Sequence, residues 1–196
     1  SENGDISSNE QALIVMLTQD MEEEKTEQAN SQEEIKETPL VTSLYTASNG
    51  KKYEYIGWIN IPKINVNLPI YHGTSDEVLS VGVGHVYNSS LPIGGINTRS
   101  VLTGHRGLPN AKLFTRLDEI VEGDLFFVRI QDKTLAYKVN NIEVIEPEDI
   151  DAVNIIEGKD LVSLITCTPY GINTHRLVVT GERVPYEPSE YEKGLQ

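Results

Sequence analysis

The pattern of apolar and polar positions changes about a quarter of the way along the chain. From Tyr53 onward, short runs rich in β-branched and aromatic residues are separated by proline, glycine and aspartate. Short runs bounded by such turn residues are typical of β-strands. The pattern predicts strands at Tyr55–Ile61, Val66–Tyr71, Ser100–Thr103, Asp124–Ile130, Leu135–Glu146, Leu161–Thr166 and Arg176–Arg183.

Helices are few in this part of the chain. One is predicted at Asp76–Val81, as a capped turn after Thr74-Ser75-Asp76, and another at Ala111–Ile120. In the second helix, the residues expected to face inward are Leu113, Phe114 and Leu117. Many short strands with few helices indicate an all-β fold, either a closed antiparallel barrel or a sandwich. About 140 residues of this composition suffice for one hydrophobic core.

The first fifty residues have a different composition. Residues 9–28 predict a helix whose narrow apolar stripe consists of Leu13, Met16, Leu17 and Met21. Residues 22–37 are so polar that a free coil is equally expected there. We interpret residues 1–50 as an acidic arm or stalk, the alternative being a lid-like segment that packs across a site on the domain. Residues 51–186 then form the β domain, and residues 187–196 form a polar C-terminal tail.

The charge, the cysteine content and the apolar runs of the chain argue against several classes of protein. Residues 1–40 carry a net charge of −9 out of −14 for the whole chain. Nucleic acid is a poor partner for this chain, because phosphate binding needs basic patches. Its single cysteine cannot support an intrachain disulfide framework. The apolar run Ala12–Leu17 is six residues long, against roughly twenty needed to cross a bilayer, and its lack of a basic flank argues against a signal peptide.

Three residue types needed for acyl transfer lie at predicted strand ends. Cys167 ends one strand run, Arg176 opens the next, and His105 follows the run Ser100–Thr103. A free cysteine alone is more often a small buried apolar residue, and a lone arginine is often part of a surface ion pair. Together, a thiolate nucleophile, a histidine acid/base and an arginine that can bind an oxyanion suit a cysteine transferase or hydrolase.

Three motifs carry a family resemblance. The stretch Ser163-Leu-Ile-Thr-Cys-Thr-Pro-Tyr-Gly171, with Arg176 downstream, resembles the sortase signature of Thr-Leu-x-Thr-Cys and an arginine strand. Leu102-Thr-Gly-His-Arg-Gly107 resembles the sortase histidine motif, and Gly57-Trp-Ile-Asn-Ile-Pro62 resembles the first strand of that family. The resemblance spans about residues 53–185. Ser163 replaces the first threonine of the signature, and we expect little consequence because serine keeps the hydroxyl.

The resemblance implies a fold, an activity and roles. Sortases are closed β-barrels, here expected to have about eight strands with short helices and the acidic, partly helical arm. They cut a Leu-Pro-x-Thr-Gly-like sorting signal after threonine, hold it as a thioester and pass it to an amine. By resemblance, Cys167 is the nucleophile, His105 the general acid/base and Arg176 the substrate and oxyanion binder. The substrate contacts that the resemblance implies are Thr166, Leu102 and Thr168.

Within the family, the resemblance is greatest to class C, the pilin-polymerising sortases. These join the sorting-signal threonine of one pilin to a lysine of the next, on the outside of Gram-positive bacteria. The resemblance therefore implies a membrane-anchored ectodomain, with anchors outside this sequence, and no cofactor or metal. Many class C members carry a lid with an Asp-Pro-aromatic motif, but this chain contains no Asp-Pro pair. The alternatives are a housekeeping sortase acting on a peptidoglycan precursor, and a non-catalytic adhesion module.

Other polar residues are expected to be structural. His175 is predicted to face away from Arg176, because neighbouring strand residues point to opposite faces. His72 and His85 lie in turn-rich segments and are expected to form hydrogen bonds. A loop of carboxylates is interpreted as a solvated acidic surface rather than a calcium site, and its members are Glu143, Glu146, Glu148, Asp149 and Asp151.

Overall fold

The computed structural model describes residues 43–109 and 111–187. The predicted helix at residues 9–28, its apolar stripe and nearly all of the C-terminal tail lie outside this range. The part of the chain that the structure describes contains no helix long and apolar enough to span a membrane.

Within the described residues, nine strands make up one sheet. They are β1 (Ser43–Thr46), β2 (Lys52–Ile61), β3 (Val66–His72), β4 (Val83–His85), β5 (Thr98–Thr103), β6 (Leu125–Ile130), β7 (Lys133–Ile145), β8 (Asp160–Thr168) and β9 (His175–Val184). One helical turn, α1 (Asp76–Leu79), lies between β3 and β4. Short 3-10 turns lie at Pro62–Ile64, Leu117–Glu119 and Ile150–Val153.

Eight of these strands close into a barrel. Their order is β2-β3-β4-β5-β8-β9-β7-β6, and a second pairing between β6 and β2 joins the two ends. β1 pairs with the first half of β2, so this part of the acidic arm extends the sheet. The closed barrel confirms the predicted fold class. The pairings β3–β4 and β5–β8 are parallel, however, so the expectation of a purely antiparallel barrel was wrong.

The main core fills the barrel. Alternate residues of each strand point inward, among them Ile59 in β2, Leu102 in β5, Leu164 in β8 and Val179 in β9. A smaller apolar cluster covers part of the outer face, and consists of Val86, Val101, Ile165 and Val178 with Ile145 and Val153 beside it. Strand β8 is buried on both faces because it lies between the two clusters.

One short helix differs from the sequence prediction. The helix predicted at Ala111–Ile120 is absent, and only the 3-10 turn at Leu117–Glu119 forms there. Leu113 adopts a left-handed backbone with φ of 41°, which breaks a regular helix. The inward orientation predicted for this segment is correct, since Leu113, Phe114 and Leu117 are buried.

The other two short elements are the helix α1 and the strand β4. The predicted helix after Ser75 exists as α1, and the Ser75 hydroxyl accepts a hydrogen bond from the backbone N–H of Val78 at 3.3 Å. Strand β4 was not predicted, because three residues are too few to show alternation.

Two histidines pack against each other on β3 and β4. The rings of His72 and His85 stack with centroids 5.6 Å apart, and His85 is fully buried. Nε2 of His85 lies 2.9 Å from the carbonyl oxygen of Ser90 and 3.1 Å from the hydroxyl of Ser89. Burial lowers the pKa of His85 to about 4, although the hydrogen bond with Ser90 acts in the opposite direction. The predicted hydrogen bonds form at His85, whereas Nδ1 of His72 is buried with no hydrogen-bond partner.

We predict that the His85 imidazole makes the fold sensitive to mild acid. Because its folded pKa lies below the unfolded value of 6.5, the unfolded chain binds a proton that the folded protein excludes. Above pH 6.5, the neutral His85 ring costs the folded state no stability. The free energy of unfolding then falls as the pH decreases from 6.5 toward 4. Between pH 7 and pH 5, the free energy of unfolding should fall by about 2 kcal/mol more in the wild type than in His85→Gln. Urea unfolding at both pH values measures this, and equal pH slopes would contradict it.

Candidate active site

Three neighbouring strands bring the candidate catalytic residues together. β5 pairs in parallel with β8, with Thr103 opposite Ile165, and the backbone N–H of Gly104 bonds to the Ile165 carbonyl at 3.0 Å. His105 therefore follows β5 at the level where Cys167 lies on β8. β8 in turn pairs antiparallel with β9, and there Cys167 lies directly opposite Arg176. The pairings thus bring the strand ends that carry His105, Cys167 and Arg176 side by side, and we call these three positions the row.

This row lies on the outer face of the barrel. Ile165 belongs to the outer apolar cluster, and Cys167, two residues later on β8, points to the same side. Ile145 of β7 pairs with Arg176 and continues the row. Only 7% of Cys167 and 2% of Arg176 are exposed. The thiol therefore lies in a largely desolvated environment beside a fixed positive charge, which favours electrostatic interactions with a bound acyl group.

His105 is held by its backbone at the point where β5 leaves the sheet. Its carbonyl accepts a hydrogen bond from the N–H of Phe114 at 3.0 Å. The Phe114 ring lies so close to Gly104 that a Cβ there would come within 2.7 Å of it. Glycine therefore lets the chain turn over Phe114, and His105 remains half-buried at the surface.

Arg176 organises the loop between β8 and β9. Its Nη1 donates to the carbonyl oxygen of Asn173 at 3.1 Å and to that of His175 at 2.9 Å. Asn173 has a left-handed backbone, with φ of 60°, which aims its carbonyl back toward the strand. The guanidinium has five N–H donors in a planar fork, so it can hold this loop and still bind a substrate carbonyl.

A buried polar network supports the outer face further along the same strands. Arg99 is 4% exposed; its Nε donates to the Ser163 hydroxyl at 2.8 Å and its Nη2 to the Thr180 hydroxyl at 3.1 Å. Its Nη1 donates to the carbonyl oxygen of Asn154 at 3.1 Å, which fixes the β7–β8 connection across this face. Val153 of the same connection packs on the outer cluster. Burial lowers the pKa of Arg99, although the Glu143 carboxylate partly offsets this.

Sequence reasoning did not assign a role to Arg99, and it treated Ser163 only as a variant of the motif. A detectable signal was present, because Arg99 lies two positions before Val101 and must share its face of β5. Ser163 faces the same side as Cys167 and forms a hydrogen bond of 2.8 Å with Thr180. The retained hydroxyl therefore joins three strands.

Two of the three residues predicted to contact substrate point toward the barrel interior. Leu102 is fully buried in the barrel core, among the inward-facing residues. Thr166 alternates with Cys167 and points to the interior, where it is 1% exposed. Thr168 is half-buried at the last position of β8. This placement gives no support to substrate contacts by Leu102 or Thr166, because both point away from the face that carries the thiol.

His175 and the acidic loop are separate from the catalytic row. Nε2 of His175 lies 3.2 Å from the Glu146 carboxylate, and its Nδ1 lies 2.8 Å from the Thr174 hydroxyl. Both partners of the His175 ring, Glu146 and Thr174, are exposed at the surface. This agrees with the prediction that His175 faces away from Arg176. Within residues 43–109 and 111–187, no group of three or more histidine, cysteine, aspartate or glutamate side chains could hold a metal ion.

The family model for the sortase domain matches residues 59–184. The chain belongs to the sortase family. It is 31% identical to sortase D of Bacillus subtilis (strain 168) over 131 residues, which are 65% of this chain and 63% of that protein. It is 26% identical to sortase A of Bacillus anthracis over 178 residues, which are 91% of this chain and 82% of that protein. The chain thus spans less than two thirds of the Bacillus subtilis relative.

Solved sortase structures share the fold. The pilus island 1 sortase C2 of group B Streptococcus is 46% identical, with a TM-score of 0.69, and the match covers 79% of this chain and 83% of that one. Sortase C1 of Streptococcus suis is 51% identical, with a TM-score of 0.68, over 69% of this chain and 75% of that one. Sortase C of Streptococcus pneumoniae is 39% identical, with a TM-score of 0.68, over 94% of this chain and 93% of that one. The structural relatives therefore include several class C sortases.

We predict that Ser163→Ala destabilises the outer face. The change leaves the Nε donor of Arg99 and the Thr180 hydroxyl without their shared partner in a buried site, which should cost roughly 1–3 kcal/mol of unfolding free energy. Ser80→Ala is the control, because its hydroxyl donates to the Glu77 carbonyl at the surface. That variant should lose less than about 0.5 kcal/mol. Equal losses in the two variants, measured by urea unfolding, would contradict the role assigned to Ser163.

Proposed function

We propose that this sortase is a cysteine transpeptidase that cleaves a Leu-Pro-x-Thr-Gly-like sorting signal after threonine. The observation that carries this proposal is the row of His105, Cys167 and Arg176 on the outer face, reached from three neighbouring strands. The Cys167–Arg176 pairing places a nucleophile beside a group that can stabilise an oxyanion. The residues present thus match the needs of acyl transfer.

In the first half of the proposed reaction, the Cys167 thiolate attacks the threonine carbonyl carbon. The Arg176 guanidinium donates to the oxygen as negative charge develops on it. His105 then protonates the leaving glycine amine, and the carbon–nitrogen bond breaks. The product of this half is a thioester between threonine and Cys167.

In the second half, an acceptor amine replaces the glycine. Neutral His105 accepts a proton as the amine attacks the thioester carbon. The carbon–sulfur bond breaks, Cys167 leaves as a thiolate, and a new amide bond forms. Water in place of the amine would give hydrolysis, so shielding of the thioester matters. The low exposure of Cys167 and Arg176 supports this requirement.

Apolar surface beside the row suits the leucine and proline of a sorting signal. Leu108 follows His105 in sequence, and Tyr170 and Ile172 lie in the loop after Cys167; all three side chains are exposed. Exposed apolar side chains clustered near a reactive group are typical of ligand-binding surfaces. They support a peptide substrate held in an extended form along the outer face.

We propose that the acceptor is a lysine side chain of a pilin subunit. The support comes from structural relatives at 39–51% identity that are class C sortases. One of them belongs to a streptococcal pilus island, and another was described with respect to its pilin substrate specificity. We place the reaction at the extracellular face of the membrane, with the protein anchored there and with pilins carrying C-terminal sorting signals as partners.

The second candidate is a housekeeping sortase, which would pass the acyl group to a peptidoglycan precursor. The observation in its favour is the similarity to sortase A proteins, including that of Bacillus anthracis over 91% of this chain. The two candidates share every step up to the thioester. The two candidates differ only in the amine that attacks the thioester.

We predict that the protein links pilin subunits into covalent ladders and that Cys167→Ala does not. The substitution removes only the sulfur at the end of β8, so the folded state should persist. Incubation with pilin subunits bearing a sorting signal, followed by denaturing electrophoresis, measures the ladder. Intact-mass spectrometry of the wild type should detect a threonine thioester, and Cys167→Ala should show none.

Different outcomes would overturn different parts of the proposal. Turnover in Cys167→Ala would exclude the nucleophile assignment. A thioester resolved by a peptidoglycan-precursor amine, but never by pilin lysine, would favour the housekeeping function. Absence of any thioester, together with Cys167 alkylation no faster than that of a model thiol, would indicate a non-catalytic barrel.

A further inference from the structure

Arg106, which follows His105, sends its side chain to the nucleophile strand. Its Nη1 donates to the backbone carbonyl oxygen of Cys167 at 3.0 Å. Its Nε donates to the carbonyl oxygen of Thr115 at 2.9 Å, and its Nη2 lies 3.0 Å from the Asp118 carboxylate. The side chain is 8% exposed. One guanidinium therefore connects the histidine loop, the segment around Thr115 and the cysteine strand.

The position of this contact follows from the sheet register. In the parallel pairing of β5 with β8, the N–H of Gly104 donates to the carbonyl of Ile165. Parallel ladders repeat every two residues, so the next bond would run from the N–H of Arg106 to the carbonyl of Cys167. β5 has ended by then, and the side chain of Arg106 makes this bond instead.

The replacement of a backbone hydrogen bond by a side-chain hydrogen bond resolves a geometric conflict at the site. If β5 continued as a regular strand, the chain would stay in the sheet plane beside β8. Since it leaves after Gly104, His105 is released from the ladder, but the Cys167 carbonyl then loses its strand partner. A buried carbonyl without a partner is costly, and a strand end without one is mobile. Arg106 satisfies the carbonyl while leaving His105 outside the ladder.

We propose that Arg106 is a positioning residue for acyl transfer, which fixes the distance between His105 and Cys167 through its bond to the Cys167 carbonyl. This inference rests on the proposed function for its activity readout. Lysine cannot replace arginine in this role, because a single ammonium cannot reproduce the planar, three-directional contact to Thr115, Asp118 and Cys167. Positive charge alone is therefore insufficient.

The test compares Arg106→Lys and Arg106→Gln with the wild type in steady-state transpeptidation of a sorting-signal peptide. Both variants should lose about 10- to 100-fold in kcat, because small misplacement of reacting groups is expensive. The loss in kcat should exceed any change in KM, because Arg106 is buried and meets the proposed substrate surface only through the Tyr170 ring, whose centroid lies 6.0 Å from its guanidinium carbon. The matched control is Arg116→Lys, an exposed arginine of the same loop whose partner is Glu119. It should keep wild-type kinetics.

A second readout does not need substrate. The pH profile of Cys167 alkylation by iodoacetamide reports the surroundings of the thiol. The pH profile should shift in Arg106→Gln, and it should also shift in Arg106→Lys, which keeps the positive charge. Thermal melting identifies any Arg106 variant that fails to fold. If one does, Asp118→Asn replaces it in the same assays. That change weakens a half-exposed contact of the same guanidinium, so it should give a smaller loss of kcat in the same direction.

The outcomes separate this inference from the proposed function. Wild-type alkylation and kinetics in folded Arg106→Lys would overturn the inference and leave the transpeptidase proposal intact. An equal loss in Arg116→Lys would also overturn it. If the wild type forms no thioester, the proposed function fails, and the alkylation profile still decides whether Arg106 positions the thiol.

Discussion

Parallel pairing between β5 and β8 brings His105 to the level of Cys167, since positions two apart stay in step along both strands. The antiparallel pairing of β8 with β9 then adds Arg176 opposite the thiol. Arg176 follows Cys167 by nine residues on the next strand of the same hairpin, whereas His105 comes from a distant part of the chain, 62 residues before Cys167. A slip of one residue in either pairing would move one member to the barrel interior. The two cores on either side of β8 prevent such a slip, because each requires its own set of alternating residues.

Two buried arginines, Arg99 and Arg106, flank this row and use oxygen acceptors from more than one segment, and a third, Arg176, belongs to the row itself. Arg99 bonds to hydroxyls on β8 and β9 and to the β7–β8 connection. Arg106 bonds to the carbonyl of Cys167 and to the loop after His105. Arg176 bonds to carbonyls of the β8–β9 loop. Buried guanidinium groups are costly unless fully hydrogen-bonded, so these contacts fix the surrounding loops relative to the strands.

The sequence was sufficient for most of the strands and for the strand ends that carry His105, Cys167 and Arg176. Alternating runs identified seven strands, and the motifs around His105 and Cys167 marked the strand ends where the site lies. The parallel pairings could not be predicted, because alternation of side chains does not reveal which strand is a neighbour. Strand β4 was too short to detect, and the predicted helix at Ala111–Ile120 was broken by the left-handed Leu113.

The predictions of individual side-chain roles were less complete, for a related physical reason. Leu102 lies three residues before His105 in sequence, yet alternation in β5 sends it into the core. Arg106 lies within the histidine motif, but its contact with the Cys167 carbonyl depends on where β5 leaves the sheet. A motif defines which residues are close along the chain, whereas contacts across strands depend on register.

The central claim is that His105, Cys167 and Arg176 act together on one acyl group at the outer face. A crystal structure of the protein with a substrate-mimetic sorting peptide linked to the Cys167 sulfur tests it most directly. The account predicts that the carbonyl oxygen of the linked residue lies about 3 Å from the Arg176 guanidinium. It also predicts that the His105 ring faces the position of the departing amine. A peptide directed away from the outer face, with its carbonyl beyond reach of Arg176, would contradict the account.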